Sequence, residues 1–312
     1  MTGPVLDLSD DAREFGRQAL RALETAGGDL LVQQAEAKPA DREVLVGPAL
    51  TALGAWDLDV RSDADELEAA AALCRSAGYW ATPYPVAERL ARPAGMDADG
   101  LVVVAANRPS AVLAGLDGRW AAVDLDGRRS MVTGQRNGGP AFVTELELSR
   151  VDDLGAGDIA LGLVLPCWML LGMLDRALEL TVAHIGLREQ FGQPLSSFQG
   201  VQFQLTEAEV ERSGVDILAK YALWSIATGR PEALDDALGL RMSAIEAAEV
   251  VFRVCHQLHG AVGFCDETTL SWLSRYSQPL RRLPLGLSAT RDRLVGRVGG
   301  HGLAGLYSEG TR

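Results

Sequence analysis

Cysteine is scarce in this sequence, and its four copies lack the spacing of a disulfide framework or of a metal site. No apolar run reaches the length of a membrane span, and Met1-Thr2-Gly3-Pro4 has no basic region followed by an apolar one. These absences predict reduced thiols in a cytoplasmic protein that contacts no membrane. Positively charged residues are also in the minority, with 29 basic against 42 acidic residues and a formal net charge of −13. We therefore expect no nucleic-acid partner.

The N-terminal third shows helical periodicity interrupted by glycine and proline. Apolar residues recur at three- and four-residue intervals in its first stretch, where Ser9 is a predicted N-cap and Gly27 a predicted stop. The predicted helices span residues 9–26, 41–53, 62–77 and 86–90. Together they predict a helical domain over residues 1–92.

Short apolar runs replace the helical pattern between residues 93 and 152. Asp-Gly and Gly-Gly pairs, which are typical of hairpin turns, separate them. The runs are 101–104, 111–113, 120–123 and 142–143, and the turn pairs begin at Asp117, Asp126 and Gly138. This pattern predicts a small antiparallel sheet in a middle domain over residues 93–152.

From residue 153 the pattern is helical almost to the end of the chain. Ser196 stands three residues before Gln199, the spacing of a capping box, which predicts the start of a long helix. The predicted helices span residues 168–185, 196–222, 233–258, 268–277 and 288–298. Long helices with short connections predict an antiparallel helical bundle over residues 153–312. The fold class is thus mostly α with a small β domain.

The most specific pattern lies between the first two long helices of the bundle. Residues 188–192 read Arg-Glu-Gln-Phe-Gly and are followed by a Phe-Gln pair at 198–199, and residues 257–264 read Gln-Leu-His-Gly-Ala-Val-Gly-Phe. The two pieces stand in the order, and with the two intervening helices, of the acyl-CoA dehydrogenase signature. Residues 150 to 295 resemble that family. The resemblance implies an N-terminal helical domain, a β middle domain and a C-terminal bundle.

The resemblance also implies a cofactor. In this family the first motif binds the ADP half of an FAD that a neighbouring subunit mainly holds. By this resemblance, the residues of this chain that contact the pyrophosphate and adenosine region are Arg188, Gln190, Phe191, Leu195 and Phe198. The second motif closes over them with Gln257, Leu258 and Gly260. The family's second consecutive glycine is Ala261 here, which tolerates close backbone approach less well.

Other parts of the family pattern are missing. Thr144-Glu145 is followed by Leu146 instead of the proline of the Thr-Glu-Pro motif, and the middle domain is short, so the resemblance does not extend to the flavin-ring contacts. The family's catalytic carboxylate is carried by one of two positions. The first corresponds to Leu285, and the second, on the helix that precedes the Arg-Glu-Gln-Phe-Gly motif, falls on or near Gly162. Neither residue accepts a proton. Asp158 lies one turn before Gly162.

This combination resembles the smaller, catalytically incomplete subunit of actinobacterial heterotetrameric (α2β2) acyl-CoA dehydrogenases of steroid and cholesterol catabolism. The resemblance implies a shared FAD, an acyl-CoA substrate, a complete partner subunit that supplies the base and the flavin-ring pocket, and an electron-transfer flavoprotein or similar acceptor. It implies no catalytic residue in this chain. Two alternatives stay open, namely a self-sufficient dehydrogenase with an unusual base such as Asp158, and a non-enzymatic helical-bundle binding protein.

Simpler interpretations of the same residues also stay open. Arg188 taken alone is also explained as a solvated cation near a helix C-terminus, where it stabilises the helix dipole. Phe191 and Phe198 are candidates for plain core aromatics. Cys255, His256 and His259 lie on one helical turn, but no second ligand cluster accompanies them, so no metal site is predicted.

Overall fold

A computed structural model of the chain describes residues 6–302. The N-terminal residues Met1-Thr2-Gly3-Pro4, which were used to predict a cytoplasmic protein, lie outside that range. The last ten residues of the predicted bundle domain lie outside it as well. The described chain is mostly helical with one small five-stranded sheet, which confirms the fold class.

Five helices precede the sheet. Ser9 caps the first one as predicted, since its Oγ accepts a hydrogen bond from the Ala12 amide, and Gly27 ends it with φ of +146°. The bounds are α1 Asp10–Ala26, α2 Leu30–Ala37, α3 Arg42–Ala52, α4 Ala64–Tyr79 and α5 Val86–Leu90. Helix α2 was not predicted, although it buries Leu31 and Val32.

The middle sheet is mixed, which corrects the prediction of an antiparallel one. Its strands are β1 Gly100–Val104, β2 Ser110–Ala111, β3 Trp120–Asp124, β4 Arg128–Arg136 and β5 Thr144–Leu154, in the order β1-β3-β4-β5-β2. Strands β1 and β3 pair in parallel, from Gly100 opposite Trp120 to Val104 opposite Asp124. The remaining pairs are antiparallel.

Two local predictions in this region also need correction. The predicted strand at residues 142–143 is instead the end of a 3-10 turn, Pro140–Phe142, and β5 starts only at Thr144. Strand β4 was not predicted, because its residues are mostly polar and partly exposed. The hairpin at Asp126-Gly127 is confirmed, since it joins β3 to β4 and Gly127 has φ of +86°.

The C-terminal bundle follows directly. Its elements are α6 Ala156–Leu187, β6 Glu189–Gln190, β7 Gln193–Pro194, α7 Gln199–Ala227, α8 Ala233–His259, α9 Thr269–Tyr276, α10 Gln278–Arg282 and α11 Leu287–His301. The predicted capping box is wrong, because Ser196 belongs to a 3-10 turn, Leu195–Ser197, and α7 begins at Gln199 without a side-chain cap. The Ser196 carbonyl instead accepts a hydrogen bond from the Gln202 side chain at 2.9 Å.

Helix α6 is the centre of the core. By length and composition it is apolar enough to cross a membrane, which corrects the sequence prediction, but 83% of its most apolar stretch is buried inside the protein. Helix α4 packs closely against it at two glycines. A Cβ added at Gly172 would lie 1.8 Å from the Arg75 carbonyl oxygen, and one at Gly78 would lie 1.8 Å from the Met169 carbonyl oxygen. The two helices therefore contact each other through their backbones.

Candidate cofactor site

The turn that carries the first motif is a tight hairpin. Strand β6 pairs with β7, and the two residues between them, Phe191 and Gly192, have φ of +53° and +82°. Positive φ at both central residues is the requirement of a type I′ turn, which matches the twist of the paired strands. The Leu195 amide closes the hairpin onto the Arg188 carbonyl at 2.8 Å.

Phe191 stands at the tip of this hairpin with 93% of its surface exposed. A left-handed φ is uncommon for a bulky aromatic residue, and so much exposed apolar surface is unfavourable in water. Its ring meets the half-buried Phe198 edge-to-face, with centroids 6.3 Å apart. Phe191 is therefore not a core aromatic. The hairpin presents an aromatic face outward.

The two motifs come together at one end of the bundle. His184, one turn before Arg188, stacks on His259 of the second motif with ring centroids 4.3 Å apart and planes inclined by 17°. The His259 Nδ1 bonds the Cys255 carbonyl at 2.9 Å, which fixes this ring on α8. The ends of α6 and α8 thus lie side by side.

Arg188 provides the charge of the site. It is exposed, and no described carboxylate lies within ion-pair distance of its guanidinium. Burial lowers the pKa of His184, and the charge of Arg188 lowers it further. Burial likewise lowers the pKa of His259. Both imidazoles are consequently less readily protonated than a free histidine, and Arg188 carries the permanent positive charge beside them.

The remaining predicted cofactor contacts differ in how exposed their side chains are. Gln190 and Gln257 are exposed, Leu195 is half-buried, and Leu258 is 8% exposed and belongs to the core. A contact from Leu258 to a cofactor would use its backbone. Gly260 ends α8 with φ of +65°, and an added Cβ would meet no atom within 4 Å.

These residues fit the ADP half of FAD. An unpaired guanidinium binds a pyrophosphate through charge-assisted hydrogen bonds, and Arg presents its donors in a fork that matches phosphate oxygens. Exposed amide side chains add donors and acceptors, and an exposed aromatic ring offers a face to adenine. The open backbone at Gly260 allows close approach of a ligand.

The middle domain shows no corresponding fit to the flavin ring at residues 144–146. Thr144 is 2% exposed, and its hydroxyl donates to the Arg136 carbonyl at 2.8 Å. Leu146, in place of the family's proline, packs into a small apolar cluster of the sheet. The Thr144 hydroxyl is thus committed within the sheet.

Asp158, the candidate base of one alternative, is held between two arginines. It is 1% exposed, and its Oδ1 lies 2.8 Å from Arg61 Nη1, while its Oδ2 lies 2.8 and 2.7 Å from Arg129 Nε and Nη2. Burial and the pairing of both oxygens with guanidinium groups keep this carboxylate away from solvent. The pairs join β4 and the segment after α3 to the start of α6. Asp158 thus holds these three segments together.

One family position for the base lines a cavity, and the other follows a lining residue in the sequence. Gly162 and Pro284 line it, and the Leu285 carbonyl beside them accepts from Arg241 Nη2 at 2.7 Å. Arg241 is 2% exposed and also donates to the carbonyls of Leu280 and Leu283. The cavity therefore lies where a catalytic carboxylate is missing.

Sequence reasoning missed one carboxylate in this cavity. Glu88 of α5 lines it and also lines a neighbouring cavity that Thr82 and Met173 border. Burial raises the pKa of Glu88 above its ordinary value. Its only sequence signal is an acidic residue inside a short apolar helix, and nothing in the sequence indicates that α5 lies next to Gly162.

The metal alternative finds no support among residues 6–302. No group of three or more histidine, cysteine or acidic side chains there is arranged to hold an ion. His256 stacks on Phe264 at 4.3 Å, and the Cys255 thiol approaches the Ala177 carbonyl within the core.

Comparison with known proteins agrees with the motifs. Residues 161–297 match the sequence profile of the family described as acyl-CoA dehydrogenase, C-terminal domain. The chain is 32% identical over 145 residues to the acyl-CoA dehydrogenase FadE28 of Mycobacterium tuberculosis, and the match covers 44% of this chain and 42% of FadE28. The match thus spans less than half the length of this curated relative.

Solved structures match the chain over nearly its full length. The Tcur3481-Tcur3483 steroid ACAD superposes with a TM-score of 0.77 at 18% identity, covering 93% of this chain and 98% of that one. The ChsE4-ChsE5 complex from Mycobacterium tuberculosis gives 0.75 at 17% identity, covering 96% and 100%. At these identities the likeness shows a common fold.

Proposed function

We propose that the chain is a subunit of an FAD-dependent acyl-CoA dehydrogenase complex, because residues 161–297 match the acyl-CoA dehydrogenase C-terminal domain and the chain shares the fold of solved acyl-CoA dehydrogenase structures. It contributes the ADP-side contacts to FAD, while a partner subunit supplies the catalytic base and the flavin-ring pocket. One observation carries this proposal. The two FAD motifs meet at an unpaired Arg188, in a chain without a carboxylate at Gly162 or Leu285.

The chain's own residues bind and orient the cofactor. Arg188 neutralises the pyrophosphate, Gln190 and Gln257 supply hydrogen bonds, and Phe191 covers the adenine from the hairpin tip. FAD, when bound, supplies the hydride acceptor for the α,β-dehydrogenation of a CoA thioester. Acyl-CoA dehydrogenases bind FAD. Sharing it between two chains is the proposal made here.

The partner is a complete acyl-CoA dehydrogenase subunit, and the assembly is an α2β2 heterotetramer in the cytoplasm. The ChsE4-ChsE5 structure is a complex of two proteins and the Tcur3481-Tcur3483 protein is a steroid ACAD, which supports a heteromeric assembly and a steroid-derived acyl-CoA. Electrons leave through an electron-transfer flavoprotein or a similar acceptor.

Flavin retention tests the role of Arg188. We expect Arg188→Ala to weaken FAD binding by the purified complex by about tenfold or more, because a charge-assisted hydrogen bond contributes roughly 1.5–3 kcal/mol. Arg253→Ala is the matched control, since Arg253 is an exposed arginine near the end of α8 that pairs only with Glu207 on the surface. Unfolding midpoints of both variants should equal that of the wild type. Equal flavin content in all three proteins would remove Arg188 from the site.

Glu88 favours a second candidate, a self-sufficient dehydrogenase with a non-standard base. It is a carboxylate with a raised pKa in the cavity that is lined by Gly162 and by Pro284, the residue before Leu285. Glu88→Gln separates the two candidates. Turnover per bound flavin within a few-fold of the wild type supports the incomplete subunit, whereas a loss of several orders of magnitude at normal flavin content supports Glu88 as the base.

A further inference from the structure

The candidate cofactor site contains more ionisable groups than Arg188. His184 of α6 and His259 of α8, which we name the stacked pair, lie with their ring centroids 4.3 Å apart. The Arg188 amide donates to the His184 carbonyl at 2.9 Å, so Arg188 follows His184 by one helical turn. A guanidinium and two imidazoles therefore meet where α6 and α8 end.

The geometry of the stacked pair allows one added proton. His184 is half-buried, and His259 is 9% exposed. The His259 Nδ1 donates to the Cys255 carbonyl at 2.9 Å, since a carbonyl only accepts, and the Nε2 of the same ring keeps its lone pair. Two imidazolium ions at the stacking distance would repel each other. The pair is thus suited to share a single positive charge.

Few other ionisable groups surround the stacked pair. They are the Arg188 guanidinium at the end of α6, the exposed Glu189 carboxylate that follows it in the hairpin, and the His256 imidazole and Cys255 thiol of α8. Burial raises the pKa of Cys255 to about 11, so its thiol stays neutral. Between residues 6 and 302, no carboxylate forms a hydrogen bond or an ion pair with either ring of the pair. After burial, the charge of Arg188 is what opposes protonation of His184.

A bound pyrophosphate would reverse this electrostatic balance. Arg188 carries one positive charge and the pyrophosphate of a dinucleotide carries two negative charges, so a negative charge would remain beside His184. A nearby opposite charge favours the protonated form of an imidazole. The ends of α6 and α8 favour a cation as well, because the helix dipole is negative at a C-terminus. Protonation of the pair and pyrophosphate binding thus support each other.

We propose that the stacked pair is the second cation of the pyrophosphate site and takes up one proton when the ADP half of FAD binds beside Arg188. This inference rests on the proposed function, because it gives His184 and His259 a role toward the same cofactor. The bound state then holds more protons than the free state, so the affinity for FAD rises as the pH falls through the window between the two pKa values of the pair. Two rings that only pack together would bind no proton with the flavin.

Histidine titration in the chain alone tests the electrostatic coupling. The imidazole Cε1–H signals are followed by NMR as a function of pH. Arg188→Ala should raise the titration midpoint of His184, because it removes a neighbouring positive charge. Arg253→Ala is the control, since Arg253 is exposed and pairs with Glu207 on the surface. An unchanged His184 midpoint in Arg188→Ala would overturn the inference.

Proton uptake during flavin binding tests the inference itself. FAD is titrated calorimetrically into the flavin-free complex at about pH 6.5 in two buffers of different ionisation enthalpy, and the difference in binding enthalpy gives the number of protons taken up. We expect the wild type to take up roughly half a proton or more, and its Kd for FAD to fall by roughly threefold or more from pH 8 to pH 6. Groups of the partner subunit contribute equally in every variant, so variants of this chain isolate the contribution of the pair.

Three variants assign the proton. His184→Phe keeps a ring against His259 but removes the imidazole nearest Arg188, so it should lose roughly half or more of the uptake at an unchanged unfolding midpoint. His184→Phe combined with His259→Gln should lose the whole contribution of the pair. His256→Gln is the matched control, because His256 stacks on Phe264 and the charge of Arg188 does not act on it. Wild-type uptake in both pair variants, or an equal loss in the control, would overturn the inference.

Flavin affinity separates this inference from the proposed function. A complex that binds FAD with no proton uptake and a pH-independent Kd keeps the proposed function and overturns the inference. A complex that binds no FAD at any pH removes the proposed function, and the inference with it. Saturable binding with full uptake only in the wild type and in His256→Gln supports both.

Discussion

The imidazole of His184 stacks on that of His259, which lies 75 residues later in the sequence, with centroids 4.3 Å apart, and the pair joins the ends of the two helices that lead into the motifs. His184 belongs to the last turns of α6, and His259 ends α8. Because each ring stands beside predicted cofactor contacts of its own motif, this pair sets the distance between the two halves of the site.

The stacked pair predicts a pH dependence of stability. Burial lowers the folded-state pKa of His184 and His259 below the ordinary value of 6.5. The unfolded chain therefore binds more protons between the folded pKa and about 6.5, and the free energy of unfolding falls as the pH drops through that window. The stabilisation is fully present above about 6.5.

Urea denaturation from pH 8 to pH 5 checks this prediction. Each histidine contributes a slope of at most about 1.4 kcal/mol per pH unit. His259→Gln should flatten the profile of the free energy of unfolding between pH 6.5 and pH 5. Parallel profiles for the wild type and the variant would show that the pair does not titrate differently in the folded state.

Asp158→Asn should destabilise the protein without stopping turnover. Removing the charge leaves Arg61 and Arg129 without their buried partner, and breaking a buried ion pair costs about 3–5 kcal/mol. Asp153→Asn is the control, because Asp153 pairs with Arg129 at the surface and its loss costs at most about 1 kcal/mol. Turnover per flavin should stay near that of the wild type in the complex. A variant with normal stability and abolished turnover would make Asp158 the base.

Gly172→Ala tests the backbone contact between α4 and α6. The new Cβ would lie 1.8 Å from the Arg75 carbonyl oxygen, so one helix must shift, at a cost of about 3 kcal/mol or more. Gly186→Ala in the same helix is the matched control, because its Cβ meets nothing and alanine favours the helix by about 0.5–1 kcal/mol. Thermal unfolding should move in opposite directions for the two variants. A shared direction would contradict the close packing.

The long helices could be predicted from the sequence because their apolar periodicity is local. The Ser9 cap and the Gly27 stop were predicted correctly for the same reason. Helix α2 was not predicted because its eight residues hold too few repeats of a helical pattern. The parallel pairing of β1 with β3 depends on the path that the chain takes between the two strands, and no local sequence pattern shows that path.

Some features of the candidate site could likewise be predicted from the sequence, and others could not. The motif residues, including Arg188, were found from their order in the chain, and their roles remain a prediction. The capping box at Ser196 failed because the β6–β7 hairpin and a 3-10 turn take up the residues before α7. Glu88 was missed because its position in the cavity results from tertiary packing alone. Likewise, only the fold shows that both of the oxygens of Asp158 are paired.

The visible absorption spectrum and native mass of the chain test the central claim most directly. They are measured for the chain alone and again after co-expression with a complete acyl-CoA dehydrogenase subunit of the same organism. The account predicts a colourless chain alone and a yellow complex with equal amounts of both chains as a tetramer. A chain that is yellow by itself as a homo-oligomer would contradict it, because the middle domain would then hold a flavin ring without a partner.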